Sequence, residues 1–361
     1  GSNTYTGATT INAGTLEIGS GSTSGSLSSS SAITNNADLV FNRSNDLTVS
    51  NTIGGTGALT QNGSGTLTLS GVNTYTGATT INVGTLEIGA AGRLGSGAYA
   101  GNIANNGIFI YSGTTTQTLT GTMSGTGALV MNGTGQLNLN ANSFTGGVTV
   151  NDGVLALDAN GIGNGTNALT VNGGHVNVSA YGSYDHLTVT ELSGAGGLIT
   201  VARRTLTINQ NTNSAYAGVI QDLDGVVSSG NGMALTKGGT GTLTLSGANT
   251  YSKTTTINAG TLEANASGAL GASGNITVHN GGSLLVQASN AIGNSSNVNL
   301  NGGTWGFNGD ISDTVGALSV ALSSCRESER GWRDRARAGR MSVLGLVYRK
   351  LRGSWISRQA Q

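Results

Sequence analysis

Proline is absent from this sequence, cysteine occurs once, charged residues make up 9% and aromatics 4%. Each shortage excludes something. Glycine-rich sequence without proline cannot be collagen, which needs both. The single cysteine, Cys325, leaves residues 1–324 without a thiol, so no disulfide and no cysteine-based metal site is available there. No run of 18 apolar residues occurs, so no membrane-spanning helix is predicted. The first residues, Gly1-Ser2-Asn3-Thr4, show neither a basic region nor an apolar run. The expectation is that this sequence carries no signal peptide and starts inside a repeat.

About half of the 361 residues belong to four types: Gly 62, Thr 48, Ser 39 and Asn 38. All four are weak helix formers, which argues against a helical bundle. Apolar residues alternate along the chain, which argues against simple disorder. The zero formal charge is a cancellation. Residues 1–324 hold 6 Lys+Arg and 13 Asp+Glu, whereas 325–361 hold 10 and 3. Two compositions meet near Ser324, and the expected division is 1–324 and 325–361.

The first part repeats itself. Asn3-Thr-Tyr-Thr-Gly-Ala-Thr-Thr-Ile-Asn-Ala-Gly-Thr-Leu-Glu-Ile18 returns at Asn73–Ile88 with one change, again at Asn249–Ala264, and in worn form at Asn142–Leu157. An Asn-x-Gly turn occurs at Asn12, Asn82, Asn105, Asn151, Asn172, Asn258, Asn280 and Asn301, with a variant at Asn35. The intervals from Asn12 to Asn35, Asn82 to Asn105, Asn151 to Asn172, Asn258 to Asn280 and Asn280 to Asn301 are nearly equal. Each is about 22 residues, within the range of solenoid repeats. A related element, Asn62–Leu69, returns at Asn132–Leu139 and Gly238–Leu245. The steps from Asn12 to Asn82, Asn35 to Asn105 and Asn62 to Asn132 are identical in length. Each is about three times the shorter interval, which reads as three rungs per super-repeat.

Residues after each turn alternate with period two, as in Leu16/Ile18, Leu86/Ile88, Val176/Val178 and Trp305/Phe307. Period two is the strand signal. A unit of about 22 residues cannot bury its own apolar face, but stacked units share one core. The sequence therefore predicts an all-β fold: a β-solenoid, specifically a right-handed parallel β-helix of about 15 rungs. Leu, Ile, Val and Ala would point inward, and Thr, Ser and Asn outward. Stacked charges would repel across one strand spacing, which explains their scarcity. A chain without proline or disulfides also suits export as an unfolded thread, because no prolyl isomerisation delays folding.

The run from Gly57 to Gly89, and nearly as well that from Met233 to Glu263, resembles the autotransporter-associated strand repeat of type V secreted passenger domains in Gram-negative bacteria. The resemblance is good over 1–19 and diffuse over 90–232 and 264–324. It implies a β-helical passenger at the cell surface or outside it, acting as an adhesin or as a stalk for another activity. Implied partners are a host-cell or matrix surface or a carbohydrate, and an outer-membrane β-barrel translocator in the full-length protein. The family's signal peptide and barrel are not in this sequence, which reads as a passenger fragment. Self-association through open solenoid ends is a further expectation, and nucleic acid is not an expected partner.

Chemistry-bearing constellations are sparse. His175, His186 and His279 share no metal-ligand spacing. Gly54-Gly-Thr-Gly-Ala-Leu59 and Gly238-Gly-Thr-Gly-Thr-Leu243 resemble a calcium-binding nonapeptide, but leucine stands where that repeat needs aspartate. None of the serines lies in Gly-x-Ser-x-Gly. No catalytic residue, metal site or cofactor is expected. A polysaccharide-active groove could draw on Asp222/Asp224, Arg203/Arg204 or Asp310/Asp313, although each also reads as a solvated turn. The aromatics Tyr5, Tyr75, Phe144, Tyr216 and Tyr251 admit two readings, an exposed ligand-binding ridge or a packing residue of the repeat; packing is favoured.

The tail carries Arg326, Arg330, Arg333, Arg335, Arg337, Arg340, Arg349, Lys350, Arg352 and Arg358, with Trp332 and Trp355. It reads as the product of a shifted reading frame, with disorder, a basic arm or a short amphipathic helix over Met341–Ile356 as alternatives. For the whole, a non-catalytic surface stalk or adhesin is the expectation. The alternatives are a scaffold for a catalytic domain encoded upstream, such as a protease or esterase, or a β-helical polysaccharide-active enzyme.

Overall fold

The computed structural model describes residues 3–29, 31–140, 142–157, 162, 165–178, 186–202, 205–222, 232–272, 274–308, 311–320, 346–351 and 354–359. The candidates Arg203, Arg204, Asp224 and Asp310 lie outside these residues, as do 325–345, 352–353 and 360–361 of the tail. Two compact units are present, residues 1–184 and 185–361.

In the first unit the strands are short because each turn of chain runs straight into a bend, and the alternating residues hold them in parallel ladders. One ladder stacks Thr15–Ser22, Asp38–Arg43, Ala58–Gln61, Thr79–Ile81, Ile103–Asn105 and Met123–Ser124. A second runs from Leu47–Val49 through Thr66–Leu69, Thr85–Ile88, Ile108–Tyr111, Ala128–Met131 and Val148–Val150 to Ala168–Val171. A third runs from Ala98–Tyr99 through Gln117–Leu119, Gln136–Leu139 and Val154–Leu157 to His175–Val178. Thr9–Ile11, Ile33–Asn35 and Ile53–Gly54 form a shorter one. In the second unit the longest ladder joins His186–Val189, Thr205–Asn209, Ala234–Gly238, Thr255–Ile257, Asn275–His279, Asn297–Asn301 and Ala317–Val320. Beside it stand Ser214–Tyr216, Thr242–Leu245, Gly260–Ala264, Gly282–Val286 and Thr304–Phe307. Of the tail, Leu346–Leu351 and Ser354–Gln359 pair antiparallel.

Each unit is a parallel β-solenoid, as expected, and its turn length is not constant. The register partners Leu67 and Leu86 are the closest together in sequence of three pairs; Leu86 and Phe109 are further apart, and Leu206 and Leu235 further still. The super-repeat is also not three turns. Leu16 stacks on Leu39, Leu39 on Leu59 and Leu59 on Thr79, so three turns are complete at Thr79. The super-repeat equivalent of Leu16 is Leu86, which lies beyond that point, and the extra stretch adds one further strand. Thr15–Ser22 and its sequence equivalent Thr85–Ile88 consequently stand in different ladders.

Inward positions are sealed: Leu39, Leu59, Leu67, Leu86, Phe109 and Leu129 are each fully buried. Asparagine departs from the outward expectation. Asn35, Asn73, Asn105 and Asn167 are fully buried, and their amides bridge turns. Asn35 Nδ2 donates to the Ala58 carbonyl at 2.7 Å, and its super-repeat equivalent Asn105 donates to Ala128 at 2.9 Å. The Ile53 N–H donates to Asn73 Oδ1 at 3.1 Å. A buried backbone group costs free energy unless paired, and these amides supply partners where strands end. Asn151 and Asn172 of the Asn-x-Gly series behave differently from Asn105: Asn172 donates to Asn151 at 2.9 Å and Asn151 to Asn132 at 2.8 Å, an exposed ladder across three turns.

Glycine has a strict role at Gly84. Its φ is +66°, and a Cβ there would lie 2.3 Å from the Gly63 carbonyl of the preceding turn. Leu86→Ala should cost about 2–5 kcal/mol, and Gly84→Ala should also be strongly destabilising, by strain against the backbone. Thr80→Ala, on the half-exposed face, should stay within about 0.5–1 kcal/mol. Urea unfolding of the three variants checks the ranking.

Candidate functional site

The repeated Asn-Thr-Tyr segment sets Tyr75 and Tyr251 between strands, whereas Tyr216 ends the strand Ser214–Tyr216. Tyr75, Phe144, Tyr216 and Tyr251 are fully buried, whereas Tyr5 is 39% exposed. No aromatic ridge exists over the four buried positions, and the packing role is the observed one. Burial leaves each phenol needing a partner. The hydroxyls of Tyr75 and Thr79 lie 2.7 Å apart, and that of Thr79 is also 2.7 Å from Tyr99. The Tyr251–Thr255 pair repeats the contact at 2.7 Å. Tyr75 and Tyr99 meet edge to face at 5.5 Å. Burial pushes the hydroxyls of Tyr75, Tyr216 and Tyr251 above the usual tyrosine range, so they stay protonated.

The polar candidates are dispersed. Asp222 is buried, and its Oδ1 accepts from the N–H of Met233 at 2.6 Å and of Ser252 at 3.3 Å. Those bonds fasten backbone beside the strand Val219–Asp222. Asp313 Oδ2 accepts from the Ile292 N–H at 3.0 Å, and burial pushes its carboxyl above the ordinary aspartate value. His279 is half-buried, with Nδ1 3.3 Å from Asn301 Nδ2 across one turn. His175 and His186 stand on separate strands, His175–Val178 and His186–Val189. Among the described residues, no three of His, Cys, Asp and Glu converge as metal ligands. A cavity of about 600 Å³ lies at the first turn, lined by residues that include Asn3, Tyr5, Thr9, Glu17 and Ser24.

Lys237 was not among the sequence candidates. It occupies an inward position between Ile208 and Ile257 and is fully buried. Its Nζ donates to the carbonyls of Gly238 at 2.6 Å, Gly239 at 3.0 Å and Ala259 at 3.4 Å. The equivalent residue Gln61 does the same with an amide, donating to Gly63 at 2.9 Å and Gly65 at 2.8 Å. A third equivalent, Met131, is buried without a donor. The socket is thus a carbonyl-lined turn that accepts ammonium, amide or thioether. Aligning Ala58–Leu69, Ala128–Leu139 and Ala234–Leu245 exposes the signal, a lysine where the pattern places an inward side chain.

The turn-and-ladder unit that builds these features matches a known repeat. The family model described as Passenger-associated-transport-repeat matches residues 1–18, 59–88, 129–157 and 235–264. Four stretches of the chain are thus similar to that repeat. The chain is also 41% identical over 194 residues to the Adhesin BmaC autotransporter of Brucella suis biovar 1, a match covering 48% of this chain and 6% of that protein. The chain therefore spans only a small part of that relative's length. No solved structure matches it.

The matched repeats carry packing groups at their recurring positions, and Lys237 offers a direct test of that role. Burial pushes its ammonium down to about 8 from 10.5. Between those values the unfolded chain holds a proton that the folded chain releases, so the Lys237 contribution to stability rises with pH across this window. Lys237→Met, which copies the residue at Met131, should be near neutral or stabilising at pH 7, and its difference from the parent should shift in the parent's favour between about pH 8 and 10.5. Chemical denaturation at three pH values measures both.

Proposed function

We propose that this chain is part of a non-catalytic, surface-displayed passenger of a Gram-negative autotransporter, serving as stalk or adhesin in attachment or aggregation. The observation that carries the reading is one repeat, matched four times, folded into stacked parallel turns whose buried positions are spent on packing. Similarity to an autotransporter described as an adhesin supports it. The outer face supports it too: Thr, Ser and Asn offer closely spaced hydroxyls and amides with little charge, suited to hydrogen bonding with a carbohydrate or matrix surface. Each turn bonds only to its neighbours, so folding can propagate as the chain emerges. The full-length protein would use an outer-membrane β-barrel translocator, and its anchored passenger would stand at the cell surface.

The test is to express residues 1–324 behind a signal peptide and ahead of a translocator barrel in a non-adherent Gram-negative strain. Protease-accessible passenger outside the cell, with adherence or autoaggregation above a barrel-only strain, is the expected outcome. Passenger folded and retained in the periplasm would contradict it.

A further inference from the structure

Asparagine followed by glycine is a chemically weak link. Glycine has no side chain to shield its nitrogen, which can attack the asparagine amide carbon and make that residue thermolabile. Within the described residues the pair occurs at Asn62, Asn106, Asn132, Asn172, Asn280 and Asn301. By sequence they share one liability, but the fold treats them differently.

The attack needs a glycine N–H that can give its proton to solvent and an asparagine amide free to turn toward it. Gly63 and Gly133 are buried, and the Gly133 N–H donates to the Tyr111 carbonyl at 3.0 Å. The Gly173 N–H donates to the Val150 carbonyl at 3.3 Å. Asn106 Oδ1 accepts from the Thr126 N–H at 3.3 Å. Asn301 Nδ2 lies 3.3 Å from His279 Nδ1, and Gly302 forms a backbone bridge to His279.

None of these restraints acts at Asn280. Asn280 and Gly281 are both exposed, and Gly281 has a φ of +86°. Among the described residues no hydrogen bond engages the Asn280 amide or the Gly281 N–H. Register explains this. Asn275–His279 pairs along its whole length with Asn297–Asn301 of the following turn, whereas its pairing with the preceding turn stops at Ile257 and Val278. Asn280-Gly281 forms the bend into Gly282–Val286 and belongs to neither ladder.

We propose that Asn280 is a self-modification site, at which the folded chain deamidates without an enzyme. Gly281 N loses its proton to solvent base and its lone pair attacks Asn280 Cγ. The new C–N bond closes a succinimide ring, and Nδ2 takes up a proton and leaves as ammonia. Water then opens the ring at either carbonyl, giving aspartate or isoaspartate. The product sets a carboxylate beside His279, and isoaspartate adds a methylene to the backbone of the bend. A Cβ on Gly302 of the following turn would lie 3.2 Å from Asn280 Cβ, so the added length falls where two turns approach closely.

The test ages the full chain in buffers of rising pH, folded and in concentrated urea. Peptide mapping by mass spectrometry follows each Asn-Gly pair, and an isoaspartate methyltransferase with labelled methyl donor counts the isoaspartate formed. In the folded chain Asn280 should convert at least about tenfold faster than Asn132 and Asn172, whose glycine N–H groups react only through local opening. Its rate should climb with pH, as attack by a deprotonated nitrogen requires, and in urea the sites should become comparable. Equal rates at Asn280, Asn132 and Asn172 in the folded chain overturn the proposal. So does a ranking that persists in urea, because local sequence rather than the fold then sets it.

Discussion

Everything in this protein depends on one contact: an inward apolar side chain resting on the equivalent side chain one turn away. Leu67 on Leu86 and Leu86 on Phe109 show it in series. Each such side chain is covered above and below by others of its kind, and burial of apolar area supplies the stabilisation. Backbone ladders then follow, since strands held at that spacing pair their N–H and C=O groups, and buried asparagine amides serve where strands end. A single turn has neither cover nor pairing, which is why the chain must repeat.

Stacking also explains why sequence period and structural period can part company. The super-repeat advances by three turns and one strand, so identical segments sit in different ladders. Nothing is lost by this, because any strand with alternating inward residues can rest on any other. Polar groups inside the coil obey the same rule in another form. Asn35, Asn105 and Asn73 bridge turn to turn through their amides, and the socket of Gln61, Met131 and Lys237 is set by the carbonyls around it more than by the residue filling it.

Much of this was legible in the residues alone. Alternation at Leu86/Ile88 and the recurring Asn-x-Gly turns led to parallel stacked strands, and the copies at 3–18, 73–88 and 249–264 led to a repeat fold and to the passenger resemblance. What was not legible depends on three-dimensional surroundings. The side on which Asn35 or Asn73 points cannot be read from a residue that is at home both in turns and in bridges. The burial of Lys237 required comparing it with Gln61 and Met131 rather than reading it as a surface charge. Nor was the variation in turn length legible: the stacked pair Leu206 and Leu235 is spaced far more widely than Leu67 and Leu86. Asp222 looked like half of a carboxylate pair, but its oxygen holds the N–H groups of Met233 and Ser252.

The central claim is in-register parallel stacking, and electron paramagnetic resonance tests it most directly. With Cys325→Ser removing the native thiol, nitroxide labels at Thr68→Cys and Glu87→Cys occupy outward positions that are register partners on adjacent turns. Labels one strand apart, roughly 4.8 Å between backbones, should give strongly broadened spectra, while a pair at Thr68→Cys and Thr149→Cys, separated by several turns, should give sharp ones. Sharp spectra from the first pair would contradict the stacking on which the fold rests.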